Sequence, residues 1–223
     1  MLKKLTEEKL NEVLEVGIRE FAERGLQQTS MNAVATQAGI SVGVLYKYYE
    51  NKDTFFLACV RRCTEELEQF LHQLCAEEHK PLQYAEALIC AVQQFSRQHR
   101  DYIRLYHEVT HTGNPVHAAA LAQQIEGVSS RLYTDIIQRA QKSGDVRSDL
   151  DPGLFAFFFD NLLMMMQFSY CCPYYRERFR LYAGGDILDN TDFVTAQLLK
   201  FMESAFTLEQ ADIPHRSPKG EIV

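Results

Sequence analysis

Residues 31–56 read MNAVATQAGISVGVLYKYYENKDTFF, which places two short helical patterns on either side of a glycine. Ala35 is small enough to let two helices approach, Gly39 supplies the sharp turn, and Leu45 packs the second helix on the first. A serine or threonine precedes each pattern, as is typical of a helix N-terminus. The spacing predicts a helix-turn-helix whose second helix runs over Ser41 to Tyr48.

A longer helix precedes this unit. Apolar residues recur every three or four positions between Leu10 and Ala22, which predicts a helix over residues 6–24. Gly25 follows and is expected to end it, because glycine accepts the left-handed backbone of a helix terminus. On the other side, Asn51 and Asp53 can open a fourth helix that extends to about Glu78.

The rest of the chain keeps the helical period. Patterns over residues 84–99, 102–111 and 116–142 are separated by proline and glycine, and no strand-like alternation competes. A further helix is predicted from Asp151 to about Tyr170 and a last one from Asp192 to about Leu208. Residues 171–190 receive no assignment. The predicted fold class is all-α, with about nine helices.

The helix from Asp151 to Tyr170 is apolar nearly all round. One side therefore needs a partner outside the core of its own chain, and we expect it to pair with the last helix in a four-helix contact between two copies. Its apolar runs are interrupted by Asp160 and Asn161, so the sequence predicts no membrane span. Residues 211–223 are expected to form a flexible tail.

The overall composition excludes several classes of protein. With 46% hydrophobic and 24% charged residues, the chain of 223 residues is neither fibrous nor disordered. A net charge of -7 argues against a non-specific coat on nucleic acid. No signal peptide is evident, and the six cysteines form no C-x-x-C pair. We therefore predict a soluble cytoplasmic protein with free thiols.

The stretch from Leu10 to Leu57 resembles the N-terminal domain of the tetracycline-repressor (TetR) family of bacterial regulators. The residues that carry the resemblance are Phe21, Gly25, Thr29, Ala35, Ala38-Gly39-Ile40-Ser41, Gly43, Leu45-Tyr46, Tyr48-Tyr49 and Asn51-Lys52-Asp53. Val44 and Tyr49 depart from the usual threonine and phenylalanine of the family. The resemblance covers about the first quarter of the chain.

This resemblance implies a transcriptional regulator, most simply a repressor. It implies a DNA-binding domain over residues 1–52 and a ligand-binding and dimerisation domain over 53–210. A homodimer would bind a two-fold operator on double-stranded DNA, and a small-molecule effector would release it. No enzymatic activity, cofactor or metal is expected. The implied DNA contacts are Thr29, Ser30, Ser41, Val42, Gly43, Tyr46, Lys47, Tyr48 and Lys52.

A pocket in the helical body is expected to hold the effector. Its candidate lining is largely apolar with a few polar groups, as small-molecule sites require. The candidates are Tyr102, Tyr106, His107, Phe155, Phe158, Phe159 and Met165. Ordinary core packing is the alternative for each of them.

Other interpretations remain open at this stage. His107 to His111 read HEVTH, which matches the H-E-x-x-H pattern of zinc-dependent hydrolases, although the extended form of that motif is absent. The pairs Cys59 with Cys63 and Cys171 with Cys172 suggest a metal- or redox-sensing regulator. A helical dimer that no longer binds DNA is the third alternative, because the chain is acidic.

Overall fold

The computed structural model describes residues 5–74, 81–110 and 115–207. Within those ranges the ordered elements are all helical, which confirms the predicted fold class. There are ten α-helices in these ranges, where the sequence predicted about nine. They are α1 (Glu7–Gln28), α2 (Met31–Gln37), α3 (Val42–Tyr48), α4 (Lys52–Leu74), α5 (Pro81–Gln98), α6 (Arg100–Thr110), α7 (Pro115–Ser143), α8 (Pro152–Cys171), α9 (Pro173–Ala183) and α10 (Thr191–Thr207), with a 3-10 turn at Ile187–Asp189.

Helix α1 begins and breaks where its sequence indicates. The Thr6 side chain accepts a hydrogen bond from the Lys9 amide and caps the first turn. Gly25 has a φ of 72°, so the helix is interrupted there and resumes for one turn to Gln28. The predicted end at Gly25 is therefore a break in the helix, and its last residue lies three positions later.

Helices α2 and α3 form the predicted helix-turn-helix. Ala35 and Leu45 are buried where the two helices cross. Gly39, with a φ of 66°, turns the chain, and the Ile40 amide donates to the Ala35 carbonyl across the turn. Ser41 caps α3, since its side chain accepts from the Val44 amide. These contacts fix the orientation of α3 relative to α2.

Helix α1 packs lengthwise against both α4 and α6 and so joins the N-terminal helices to the body. Its contact with α4 is unusually close at Gly17, where an added Cβ would lie 2.4 Å from the Phe55 ring and 2.8 Å from Cys59 Sγ. The rings of Phe21 and Phe56 meet edge to face next to this contact. The two regions therefore share one continuous core.

Helix α8 lies at the centre of the body and packs against α5, α6, α7 and α9. Helix α10 lies on α5, where the Thr195 hydroxyl donates to Gln93 Oε1 at 3.1 Å. The segment that the sequence left unassigned contains α9 and the 3-10 turn, and Pro173 opens α9 at its first position. Residues 75–80, 111–114 and 208–223 lie outside the described ranges, and the tail predicted for residues 211–223 falls there.

Helix α8 has 20 residues and is long and apolar enough to cross a membrane by length and composition alone. Asp160 and Asn161 interrupt its apolar runs, as the sequence shows, but they do not interrupt the helix itself. Half of its most apolar window is buried inside the protein, as in the core helix of a globular protein. We therefore interpret α8 as a core helix with one exposed apolar side.

Candidate DNA-binding surface and effector cavity

Helix α3 presents an exposed face at the N-terminal end of the molecule. Ser41, Gly43 and Lys47 are exposed, and the Tyr46 ring is 48% exposed although its neighbour Leu45 is fully buried. Nothing lies within 4 Å of the position that a Gly43 Cβ would take. A surface of this kind, with a small residue near the helix start and a basic residue in its last turn, can enter the major groove of DNA.

Two further predicted contacts lie at the edges of this face. Val42 is partly buried against the core. The Tyr48 hydroxyl accepts a hydrogen bond from the Leu5 amide at 2.7 Å, which ties α3 to the start of α1. Because that hydroxyl accepts here, its own hydrogen stays available for a phosphate oxygen.

Thr29 is the clearest correction among the predicted DNA contacts. Its side chain is buried, and its hydroxyl lies 2.8 Å from the Gly25 carbonyl and 3.1 Å from the Glu20 carbonyl. The hydroxyl therefore closes the broken end of α1, and the predicted phosphate contact by this side chain is wrong. Ser30, next in sequence, is exposed at the start of α2 and makes no capping hydrogen bond through its side chain.

Lys52 is held within the protein. Its Nζ donates to the Gln27 carbonyl at 3.0 Å and to the Thr29 carbonyl at 3.3 Å, where the end of α1 carries negative partial charge. A lysine has three donors, so one remains for a phosphate. Replacing Lys52 would also loosen the turn between α1 and α2, so Lys52 has a structural role beside the predicted DNA contact.

The local charge of this region is less positive than its sequence suggests. Residues 24–52 contain three basic residues and one acid, for a net of +2. Arg24 is paired with Glu20 at 3.1 Å, and Lys52 is bound to backbone carbonyls. Lys47 has no ion pair within the described part of the chain and carries the accessible charge of α3.

The helical body encloses a narrow apolar cavity of about 40 Å³ between α4, α5, α6, α7 and α8. Its walls include Val60, Leu67, Phe95 and Val109, with Tyr102, Tyr106 and Gln167 as polar members. Small-molecule sites typically measure about 300–1,000 Å³. The cavity is therefore closed in this structure, and a ligand of ordinary size requires the surrounding helices to separate.

The seven residues predicted to line one pocket lie in different places. Tyr102 and Tyr106 line the cavity described above, whereas Phe155 and Phe159 line a second one of about 20 Å³ beside α5, α7 and α10. Met165 belongs to an open groove of about 700 Å³ between α8, α9 and α10, and Phe158 is 60% exposed. The sequence could mark these residues as apolar but could not show which side of α8 each one faces.

Two carboxyl groups that sequence reasoning missed are partly buried between the helices of the body. Glu126 of α7 accepts a hydrogen bond from the Tyr106 hydroxyl at 2.6 Å. Burial raises the pKa of Glu126, while the hydrogen bond from Tyr106 partly opposes this. Burial, followed by the charge of Glu126, raises the pKa of Asp160 to about 7. The signal available in the sequence was Asp160 within a run of apolar residues.

The proposed metal and redox alternatives gain no support. His107 packs its ring against Phe168 and Tyr175, and His111, the second histidine of the motif, lies outside the described residues. Among the residues that the structure describes, no three His, Cys, Asp or Glu side chains are grouped to hold a metal ion. Burial raises the pKa of both Cys59 and Cys63, which keeps these thiols protonated.

A hydrogen bond connects the cavity to the DNA-binding helices. Tyr102 lines the cavity and donates its hydroxyl to Glu15 Oε1 of α1 at 2.6 Å. Arg62 of α4 reaches the same carboxylate at 3.4 Å. Burial and the bond to Glu15 raise the pKa of Tyr102, so the phenol stays protonated and continues to donate. This hydrogen bond links α6, which lines the cavity, to α1.

Residues 13–59 match the family model described as bacterial regulatory proteins, tetR family. A probable acrEF/envCD operon repressor of Escherichia coli K12 is 27% identical over 169 residues, which cover 70% of this chain and 76% of the relative. The repressor KstR2 of Mycolicibacterium smegmatis is 23% identical over 144 residues, covering 65% and 70%. These matches extend beyond the N-terminal helices.

The same arrangement of helices is found in solved structures. The transcriptional regulator FadR of Bacillus subtilis in complex with stearoyl-CoA superposes with a TM-score of 0.72 at 14% identity, covering 89% of this chain and 100% of that one. At such an identity the likeness shows the fold. Residues 13–59 therefore form an N-terminal domain of the TetR type, and the matches together support a TetR-family transcriptional regulator. The prediction of a DNA-binding regulator is confirmed, and the alternative of a zinc-dependent hydrolase is not favoured.

Proposed function

We propose that the chain is a cytoplasmic, homodimeric repressor that binds a two-fold operator through α3 and is released by a small molecule. The observation that carries the proposal is the exposed face of α3, which combines Gly43, Tyr46 and Lys47 on a helix fixed by buried packing. Residues 1–52 would form the DNA-binding domain and residues 53–210 the domain for ligand and dimer contacts.

Dimerisation is supported by the outer side of α8 and α10. Large apolar side chains are exposed along both helices, among them Phe157 and Phe158 at 60% each and Phe201 at 62%. Exposed apolar surface on two helices of one body is typical of a subunit interface, and pairing with a second copy would form a four-helix contact. One α3 makes few base contacts, so two copies are needed for specific affinity.

Release by a ligand is supported by the cavity and its connection to α1. A molecule that enters between α4, α6 and α8 must move Tyr102, which is bonded to Glu15. A ligand that binds the displaced arrangement more tightly than the closed one shifts the population away from the DNA-binding form. The effector therefore acts by separating helices that are closely packed in its absence.

Lys47→Ala tests the DNA-binding face directly. An operator is first selected from random DNA duplexes with the wild-type protein, and its affinity is measured at several salt concentrations. The substitution is expected to weaken binding about tenfold and to lower the salt dependence by about one counterion. Lys142→Ala, which removes the same charge from an exposed site on α7, is the matched control. Unchanged operator binding by Lys47→Ala would contradict the proposal.

A further inference from the structure

Glu126 and Asp160 are two partly buried acidic side chains in the helical body. Glu126 accepts a hydrogen bond from Tyr106, and its charge raises the pKa of Asp160. Asp160 has no hydrogen bond or ion pair, and Glu126 has only its bond to Tyr106, within the described ranges. Burying a carboxylate without a positive partner is costly. Two such groups side by side, once ionised, form a partly buried negative region that a positive ligand would stabilise.

A second polar group on the same side of α8 lacks a partner. Gln167 is only 7% exposed, lines the 40 Å³ cavity and makes no hydrogen bond through its side chain with any described residue. Asp160, Met164 and Gln167 follow one another at the spacing of one helix face, over roughly 10 Å. The Gln167 amide therefore has hydrogen-bonding capacity that a ligand in the cavity could use.

Tyr106 lies between the acids and the cavity. Its ring lines the cavity, its hydroxyl reaches Glu126 at 2.6 Å, and the hydroxyl oxygen lies 3.1 Å from Met164 Sδ. Methionine is unbranched and flexible, so Met164 can move aside at small cost. Neither acid lines the 40 Å³ cavity in this structure, so a site that includes both the cavity and the acids requires Met164 and Tyr106 to move.

We propose that this site, which is the effector site of the proposed repressor, takes an amphiphilic cation. The positive head group would lie between Glu126 and Asp160 and against the face of the Tyr106 ring, which attracts cations. The apolar part would occupy the cavity among Val60, Leu67 and Phe95, and Gln167 would offer its amide to any polar group at that end. The inference rests on the proposed function.

The charge of the site distinguishes this class of ligand from others. An anionic amphiphile would place its charge beside two carboxyl groups, and a neutral one would leave those groups without a partner. A coenzyme A thioester carries several negative charges and is disfavoured for the same reason. The electrostatics of this chain therefore favour a cation, whatever ligands its structural relatives bind.

Binding of a cation is coupled to loss of a proton. Of the helices packed on α8, α7 contributes Glu126 and Tyr133 and α6 contributes Tyr106, whereas no described charged group of α5 or α9 acts on Asp160. The pKa of Asp160 is raised to about 7. A cation must displace the proton below that pH, so its affinity should increase about tenfold between pH 6 and pH 8.

The test is isothermal titration of the DNA-free dimer with four ligands that share an eight-carbon chain: octyltrimethylammonium, octanol, octyl sulfate and octanoyl-coenzyme A. The ammonium ion is expected to bind at least about tenfold more tightly than the others. Asp160→Asn and Glu126→Gln should each weaken its binding about tenfold or more and leave octanol unaffected. Asp135→Asn on α7, an exposed acid paired with Arg139, is the matched control and should bind as wild type does.

Each other outcome overturns the inference. Tighter binding of octanoyl-coenzyme A or octanol, no binding of any of the four ligands, or equal affinity of the two variants and wild type would show that the acids do not select a cation. Operator binding is measured on the same preparations. If the ligand tests fail but the protein still binds its operator, only the inference about the cation is overturned. If the wild-type protein selects no operator, the proposed function is overturned.

Discussion

The N-terminal helices and the interior of the body differ in how their polar side chains are partnered. In the N-terminal region, the buried Thr29 hydroxyl lies within hydrogen-bond distance of two carbonyls. Glu20 Oε1 accepts from the Gln37 amide, and Glu20 Oε2 makes no hydrogen bond but lies 3.1 Å from Arg24 Nε. Between α6, α7 and α8, Asp160 and Gln167 have no partner among the described residues. Hydrogen bonds within the protein stabilise a region that presents a fixed surface. A region that receives a ligand can contain polar side chains without partners in the protein, and this lowers its stability.

The largest loss of stability in the N-terminal region is expected from a substitution at Gly17. In Gly17→Ala the new methyl group would lie 2.4 Å from the fully buried Phe55 ring, which cannot move freely between Phe21 and Tyr49. A steric cost of about 3 kcal/mol outweighs the roughly 1 kcal/mol that alanine gains over glycine in a helix. We expect a net loss of about 2 kcal/mol, measured by urea denaturation. An unchanged midpoint would mean that α1 and α4 can separate without cost.

The cost of an acidic side chain without a partner in the helical body is tested at Asp160. Its pKa is about 7 when folded and 3.8 ordinarily, so the folded protein keeps a proton that the unfolded chain releases. Stability is therefore lost as the pH rises from about 4 to 7 and stays low above 7. Asp160→Asn removes this loss and should raise the free energy of unfolding by roughly 1–2 kcal/mol at pH 8, allowing for partial exposure.

The pH dependence of that difference separates electrostatics from packing. At pH 5 most of the native Asp160 is protonated, so the stabilisation by Asp160→Asn should fall to less than half its value at pH 8. Thermal melts of both proteins at the two pH values measure this. Asp135→Asn, at an exposed acid on α7, should leave the stability unchanged at both pH values. A stabilisation that is equal at both pH values would show that the carboxylate is not the source of the instability.

The hydrogen bond from Tyr102 to Glu15 links the helical body to the N-terminal helices. Tyr102→Phe removes a hydroxyl 2.6 Å from Glu15 Oε1 but leaves Arg62 beside that carboxylate. We expect a loss of about 1 kcal/mol, because Glu15 is partly exposed. A double-mutant cycle with Glu15→Gln should recover most of that value as coupling energy. Tyr46→Phe, at an exposed phenol, is the control. A coupling energy near zero between Tyr102 and Glu15 would mean that this hydrogen bond does not connect the cavity to α1.

The sequence predicted the N-terminal region better than the body, and the reason is physical. Gly39 and Ser41 act locally, through a turn and a cap that neighbouring residues specify. Even there the long-range contacts were missed, since nothing near Thr29 in the sequence shows that it faces the interior or that Lys52 reaches its carbonyl. Local chemistry predicts elements, and burial depends on how they pack.

The body illustrates the same limit more severely. Helix α8 is apolar on every side, so its periodicity could not separate Phe158, which is exposed, from Phe159, which is buried. The pairing of Glu126 with Tyr106 joins α7 to α6 and has no signature in either segment. Helix α9 was missed because its residues bury little surface and lack an apolar stripe.

A substitution at Gly43 is expected to change the stability less than those at Gly17, Asp160 and Tyr102. Unlike Gly17, it faces open space, so Gly43→Ala should alter the free energy of unfolding by no more than about 0.5 kcal/mol. The added methyl group would nevertheless stand between the first turn of α3 and the DNA. Operator affinity should therefore fall about tenfold or more, in line with the loss of one base contact. Two glycines in one domain would then separate fold from function, and full operator affinity in Gly43→Ala would place the start of α3 away from the DNA.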